Sequence, residues 1–500
     1  MLDGMSTTLD ADSARWLEEL RCDAGPRHPG GGMRRQSGSG VGMLKGRLGF
    51  VAALILECVL APRASPASLA ITHISVADGT GAPLQRDMTV LVRGAHITAV
   101  GPSAATPVPA DARVIDGSGR YLIPGLWDMH VHFTIAGRMS VPLFPVNGVT
   151  GVRDMGGDLA VIDGYRAEIA KGTLLGPRIY RAGPFLDGPK KNALYRVTLK
   201  SADDGRNAVD SLKRLGVDFL KVHSRVPREA YFAVLAEAKT QNLRVAGHLP
   251  RGISPSEAAL AGQASIEHTE SLLEGVHFAD STSQRHTSRE DFALLSGSAA
   301  DSLFALFKRS GTSIDPTLVE YNVFAHIGDA RVTNDARLKY VSPELRAYWN
   351  RFFPADTAET IAATGGRREY LRRFMGLVYA MHNAGVPILT GTDLGASYIY
   401  PGFSLHDELA LLVEAGIPPA DVLRAATSGA ATFLGVSDSV GTVQAGKLAD
   451  LVIIDGNPLV DIRSTQSIRT VIVNGRVLDA AERRTILAST ARDVAEAKAD

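Results

Sequence analysis

Five hundred residues exceed what one ordinary core holds, and 45% apolar with 21% charged residues describes a globular chain rather than a disordered or collagenous one. Lys and Arg total 53 against 53 Asp and Glu, and the basic residues are dispersed, so no cationic stripe points to nucleic acid or to an anionic membrane surface. The two cysteines, Cys22 and Cys58, precede the first globular pattern, which leaves the folded body with His and carboxylate but no thiolate for holding a metal.

Residues 1–42 are rich in Gly, Arg, Ser and Asp without a period and read as a disordered extension or a start-site artefact. From Met43 the pattern changes. Lys45 and Arg47 precede an apolar run at 48–61 and a small, Pro-containing stretch at 62–70, the layout of a secretory signal over 43–68. The expectation is an exported protein, periplasmic or secreted. The run is shorter than the roughly 20 apolar residues of a spanning helix, so no stable membrane span is expected after cleavage. Glu57 interrupts the run, and Cys58 directly after it does not form a lipoprotein box.

Short β-like runs follow at 70–76, 88–92, 96–100 and 112–116, and a matching set recurs at 451–455 and 470–473. Neither flank has enough strands to bury a core alone. The economical arrangement joins 69–122 and 436–485 into one small β-sandwich domain, which requires residues near 120 and 435 to lie close together.

Between the flanks, residues 123–435 alternate strand-like and helix-like patterns. Eight strands are expected at 126–133, 148–154, 177–182, 217–223, 243–248, 264–268, 312–317 and 386–393, with helices such as 158–171, 202–215, 228–241 and 367–384. This is the spacing of an α/β fold, a (β/α)8 TIM barrel. Segments 269–298 and 319–365 exceed ordinary connections and are expected to shape or cover the active site. Residues 486–500 read as a C-terminal tail.

Active sites of such barrels form where strands end, so the polar residues at those ends carry the functional argument. Strand one ends in His130 and His132, which a period of two places on one face. Strand four carries Lys221, strand five ends in His248, strand six in His268 and strand eight in Asp393. A lone strand-end His is usually a satisfied structural residue, and Asp393 could simply cap a helix. Several on the correct ends of four strands are harder to dismiss. His277, His286, His326, His382 and His406 fall in loops or helices and take the structural reading. Lys221 is the odd member, because an ammonium beside divalent cations suffers desolvation and like-charge repulsion. Two readings stay open for it: carboxylation by carbon dioxide to an anionic carbamate able to bridge two metals, or a head that snorkels outward.

The strand-one motif Pro-Gly-Leu-Trp-Asp-Met-His130-Val-His132, Lys221, Ala-Gly-His248-Leu-Pro, Ile-Glu-His268, Thr-Gly-Thr-Asp393 and Gly446-Lys-Leu-Ala-Asp-Leu-Val452 resemble the amidohydrolase superfamily. The likeness is to the branch of imidazolonepropionase-like proteins and binuclear Xaa-Pro-type dipeptidases, and it covers residues 69–480. It implies two divalent metal ions, zinc being the expected element: one held by His130, His132 and Asp393, the other by His248 and His268, with carboxylated Lys221 and a hydroxide between them. Asp393 is then also the catalytic proton shuttle.

The implied activity is hydrolysis of an amide or peptide bond in a small-molecule substrate such as a dipeptide or an N-acyl amino acid. Cyclic amide hydrolysis of the dihydroorotase or imidazolonepropionase kind and a non-catalytic binding barrel are the alternatives. His223 stands where many relatives have Tyr and, with Arg225, is a candidate substrate contact, Arg225 gripping a carboxylate. Arg153 and Arg251 also lie near strand ends. A homo-oligomer is allowed but not required.

Overall fold

A computed structural model of the chain describes residues 68–190, 194–273, 292, 295–352 and 364–497. The expected N-terminal extension, nearly all of the expected secretory signal, and His277 and His286 lie outside the described residues.

The first strands are built from alternating apolar residues. β1 (Ser68–Val76) pairs antiparallel with β2 (Gln85–Arg93), which pairs antiparallel with β3 (His96–Pro102). On its other edge β1 runs parallel first to β4 (Arg113–Asp116) and then to β5 (Tyr121–Pro124). The change of partner falls about His73, a left-handed residue (φ 53°) where the register with β2 also shifts.

The middle of the chain supplies parallel strands: β6 (Leu126–Val131), β7 (Val149–Asp154), β8 (Arg178–Arg181), β9 (Phe185–Asp187), β10 (Arg196–Thr198), β11 (Leu220–Val222), β12 (Val245–Gly247), β13 (Ser265–Glu267) and β14 (Ser313–Asp315). They form a three-stranded sheet, β6-β7-β8, and a six-stranded sheet, β10-β9-β11-β12-β13-β14. Helices at Leu159–Lys171, Ala202–Arg214, Arg228–Thr240 and Thr364–Asn383 lie between strands, so the architecture is α/β. Their starts follow local capping chemistry. Asp158 accepts from the amides of Ala160 and Val161, and Ser201 forms a capping box with Asp204.

The last strands are β15 (Leu451–Ile454), β16 (Ile468–Val473) and β17 (Arg476–Leu478), and they return to the first sheet. β15 runs antiparallel to β5, with Leu451 opposite Pro124 and Ile454 opposite Tyr121. The two flanks thus form one connected sheet, β17-β16-β15-β5-β1-β2-β3 with β4 on β1. A bridge from His96 to Leu448 ties its far edge to the approach of β15. Ile71, Ile74, Val90, Leu122, Leu451 and Ile453 form its core.

Gly125 alone separates β5 from β6. Its amide donates to the Asp450 carbonyl at 2.7 Å, and a Cβ there would lie 2.0 Å from the Thr150 hydroxyl, so no side chain fits.

Three elements differ from the sequence expectation. The strand expected at 386–393 is not a regular strand but an extended segment with isolated bridges. On one side, Ile314 donates to the Pro387 carbonyl at 2.9 Å and Leu389 to that of Ile314 at 2.8 Å. On the other, Met129 donates to Thr390 at 2.8 Å and His132 to Leu394 at 3.0 Å. The ladder is interrupted because the Thr392 amide turns to the Asp128 carboxylate at 3.1 Å and Asp393 is left-handed (φ 56°). Second, β9 and β10 occupy a stretch read as connection. Third, Ala480–Glu496 is a helix where a tail was expected from 486. Arg483 fastens it, donating to the carbonyls of Val146 and Ile468.

Candidate active site

The strand ends converge on a cluster of imidazoles. The ring centroids of His130 and His132 are 5.3 Å apart, those of His130 and His268 4.9 Å, His268 and His248 4.8 Å, and His248 and His223 4.2 Å in a stack. Asp393 closes the first pair: its Oδ1 lies 3.3 Å from Nε2 of both His130 and His132. Lys221 reaches the same place from β11. It is 1% exposed, its Nζ has no hydrogen-bond partner, and its charge acts on His130, His248 and His268. The outward-snorkelling alternative for Lys221 is therefore overturned. All six candidate ligands share one site.

Three of the rings are held through Nδ1. His132 Nδ1 donates to the Gly156 carbonyl at 2.9 Å, His268 Nδ1 lies 2.8 Å from the Thr317 hydroxyl, and His248 Nδ1 lies 3.1 Å from that of Ser224. A carbonyl can only accept, so His132 carries its proton on Nδ1 and its Nε2 lone pair is free for a cation; hydroxyls that accept from Nδ1 set His268 and His248 the same way. Burial holds His130 and His248 well below the ordinary imidazole range, as neutral donors. Both ring nitrogens of His130 are buried without a hydrogen-bond partner. Burial also pulls Lys221 down to about 8, against the charges of Glu267 and Asp393, which push it up. Burial pushes Asp393 up, but His130 and the hydrogen bond to His132 outweigh it and hold the carboxylate ionised. Orphaned buried donors, neutral imidazoles and one ionised carboxylate fit divalent metal ions, and no thiolate is needed.

Beneath the site lies a fully buried ion network that the sequence reading missed. Arg153 donates to Glu267 at 2.7 Å, Asp315 at 3.1 Å, Ser265 at 2.9 Å and the Met129 carbonyl at 2.6 Å. Glu267 Oε2 stands 3.3 Å from His130 Nδ1. Arg153 is therefore a buried support rather than a rim residue. Polar residues recurring two apart on buried strands, Ser265 with Glu267 and Ser313 with Asp315, were the signal that could have found the network.

Asp128 was also missed. It accepts from the Thr392 hydroxyl at 2.8 Å and the His130 amide at 3.2 Å, and so aligns β6 with the segment bearing Asp393. Burial raises it to about 7. Glu320, in the first turn of the helix Leu318–His326, lies 3.4 Å from His268 Nδ1 and clusters with His268 and Asp393. His268, Thr317 and Asp393 are all left-handed (φ 66°, 48° and 56°), strain of the kind retained at functional sites.

The two candidate substrate contacts differ. His223 faces the site: it stacks on His248, meets Phe185 edge-on at 5.8 Å, and is pulled down to about 2 by burial and then by Arg196. Arg225 is exposed, and its backbone amide donates to Asp187 at 2.9 Å. The same Asp187 holds the Arg196 guanidinium, which lies 4.8 Å over the Phe185 ring, and Phe185 in turn stands 5.4 Å from His132. His326, His382 and His406 stand apart from the site. His406 is satisfied by the Thr465 hydroxyl and the Asn147 carbonyl.

A family comparison matches residues 121–478 to the amidohydrolase family. The chain is 24% identical over 462 residues to an ochratoxinase of Aspergillus niger, covering 79% of this chain and 82% of that one. It is 25% identical over 409 residues to an imidazolonepropionase of Ralstonia nicotianae, covering 76% and 90%. Among solved structures, a bottromycin amidohydrolase superposes with a TM-score of 0.68 at 25% identity, over 85% of this chain and 90% of that one. A Xaa-Pro dipeptidase with bound methionine gives 0.63 at 21% identity, over 83% and 100%, a likeness of fold.

Proposed function

The chain belongs to the amidohydrolase family and is a hydrolase of carbon–nitrogen bonds, and from that premise we propose that it cleaves the amide or peptide bond of a dipeptide or an N-acyl amino acid. The observation that carries this reading is the convergence of four imidazoles, Asp393 and an unpartnered, buried Lys221 at the ends of parallel strands. His130, His132 and Asp393 would hold one divalent cation and His248 and His268 a second, with Lys221, carboxylated by carbon dioxide, between them; zinc suits this donor set. Such cations, when bound, supply an activated water and polarise the carbonyl it attacks. Asp393 takes the water's proton and delivers it to the leaving amine, a task that suits a carboxylate held ionised by two imidazoles. His223 walls the pocket beside His248. Arg225 reaches in from the rim toward a substrate carboxylate.

On the same reading, the 387–394 segment joins β14 to β6, and the Asp218 amide, donating to Arg181 at 3.0 Å, joins β8 to the approach of β11, so that the parallel strands close into a (β/α)8 barrel. Residues 43–68 direct export and are removed. N-terminal sequencing of the exported protein checks that part, and a terminus at or before residue 43 overturns it.

The test of function is a screen of metal-loaded protein against dipeptides, N-acyl amino acids and cyclic amides, with metal content measured in parallel. Hydrolysis confined to cyclic amides, or a plateau at one metal per chain with full activity, overturns the reading.

A further inference from the structure

The mouth of the site carries opposite charges on two sides. At one end of the six-stranded sheet, β9 and β10 and the loop after β11 bring together Lys190, Arg196 and Arg225 around one carboxylate, Asp187. The cations are near enough for Arg196 and Arg225 to depress Lys190 after burial does. Three cations against one carboxylate leave this rim positive. At the other end, past β14, Glu320 stands beside His268 and Asp393.

Three features fit Glu320 to a role beyond supporting His268. His268 Nδ1 already has a nearer partner, the Thr317 hydroxyl at 2.8 Å, against 3.4 Å for Glu320. The Glu320 side chain is 12% exposed, whereas those of the supporting Glu267 and Asp315 are 0% exposed. Its helix is fixed from behind, because Glu408 accepts from the Val319 amide at 2.6 Å, so the carboxylate is presented by a rigid turn.

We infer that Glu320 binds the free ammonium of a zwitterionic peptide whose carboxylate meets the Lys190–Arg196–Arg225 rim, so that the enzyme prefers free-amine peptides to N-acylated ones. The inference rests on the amide-hydrolase reading and narrows it. A small zwitterion spanning the two poles lies with its amide over the imidazole cluster between them, oriented by charge at both ends.

The experiment compares one apolar dipeptide, its N-acetyl derivative and its C-terminal amide, on wild type, Glu320→Gln and Glu320→Asp, with metal content determined for each protein. Wild type is expected to favour the dipeptide over the N-acetyl derivative at least tenfold in kcat/KM. Glu320→Gln is expected to cut that ratio about tenfold at full metal content, and Glu320→Asp to restore part of it. Equal treatment of the two substrates by wild type overturns the inference and leaves amide hydrolysis standing. An equal loss on both substrates in Glu320→Gln makes Glu320 a support of His268, and loss of metal makes it a ligand; either also overturns it. If wild type hydrolyses none of the three, the functional reading fails. The compounds are then stable ligands, and calorimetry reads the same preference directly, with equal affinities overturning the inference.

Discussion

Lys221 shows how surroundings set the chemistry of a side chain. An ordinary lysine is almost wholly protonated near neutrality, but burial lowers this one to about 8, so a free amine able to add carbon dioxide is accessible. Metal-stripped protein reloaded with zinc in carbon dioxide-depleted buffer should therefore recover little activity until bicarbonate is added. Lys221→Ala should retain less metal; full metal and normal turnover in that variant would sink the bridge. Asp393→Asn should keep its fold and lose turnover on the order of a hundredfold, since an amide cannot accept the water's proton. A metal-replete, active Asn variant would remove the shuttle. Asp393 could be read in the sequence because it is a polar residue ending an apolar run, and Lys221 because it is a charge set inside one, Phe219-Leu-Lys-Val222. Glu320 escaped because it lies past its strand in a helical first turn, and Arg153 because a strand-end arginine looks like a rim residue until its partners on β13 and β14 are known.

The 387–394 segment is the element that local pattern reads least well. Its apolar run predicts a regular strand, but Asp128 and the left-handed Asp393 divert its backbone, and no periodicity reports a bond made by a distant side chain. Gly391 allows the close approach. A Cβ there would lie 2.4 Å from the Asp315 carboxylate and 2.6 Å from the His130 Cβ. Gly391→Ala should displace both, lowering metal content and turnover at least tenfold even if the protein stays soluble; a fully active, metal-replete variant would show that the segment can shift at no cost. β9 (Phe-Leu-Asp) and β10 (Arg-Val-Thr) were missed for a simpler reason, since neither is set in a longer apolar run of the kind that revealed the equally short β11 to β14.

The neighbouring helix Ser404–Glu414 gives a stability test. Burial raises Glu408 from 4.5 to about 8, so the folded state keeps a proton that the unfolded chain releases. Its contribution to stability therefore falls as pH rises from about 4.5 to about 8. Gln carries no charge and can still accept from the Val319 amide. The melting temperature of Glu408→Gln relative to wild type should climb by a few °C across that window, read by scanning calorimetry at a series of pH values. A constant difference would mean that Glu408 does not titrate there.

At the scale of the molecule, the site draws on β6, β11, β12, β13 and the 387–394 segment together. Removing metal leaves buried imidazoles and Lys221 without partners in the middle of the fold, so chelation should lower the melting temperature by about 5 °C or more, with recovery that depends on added zinc concentration. No change on chelation would mean that the folded state holds no metal. The amidohydrolase likeness and the hydrolase assignment anticipated from sequence are borne out by the family match, and the α/β class by the sheets. The pairing of the flanks places β15 directly against β5, one residue ahead of β6, which bears His130 and leads directly into His132. That pairing has a consequence for the order of synthesis. A nascent chain that has reached Asp393 already contains every candidate ligand, yet the strand that braces the entry to β6 begins only at Leu451. The brace on the entry to β6 is thus made only from the last tenth of the chain, and a chain that stops short of Leu451 carries every candidate ligand while still lacking it.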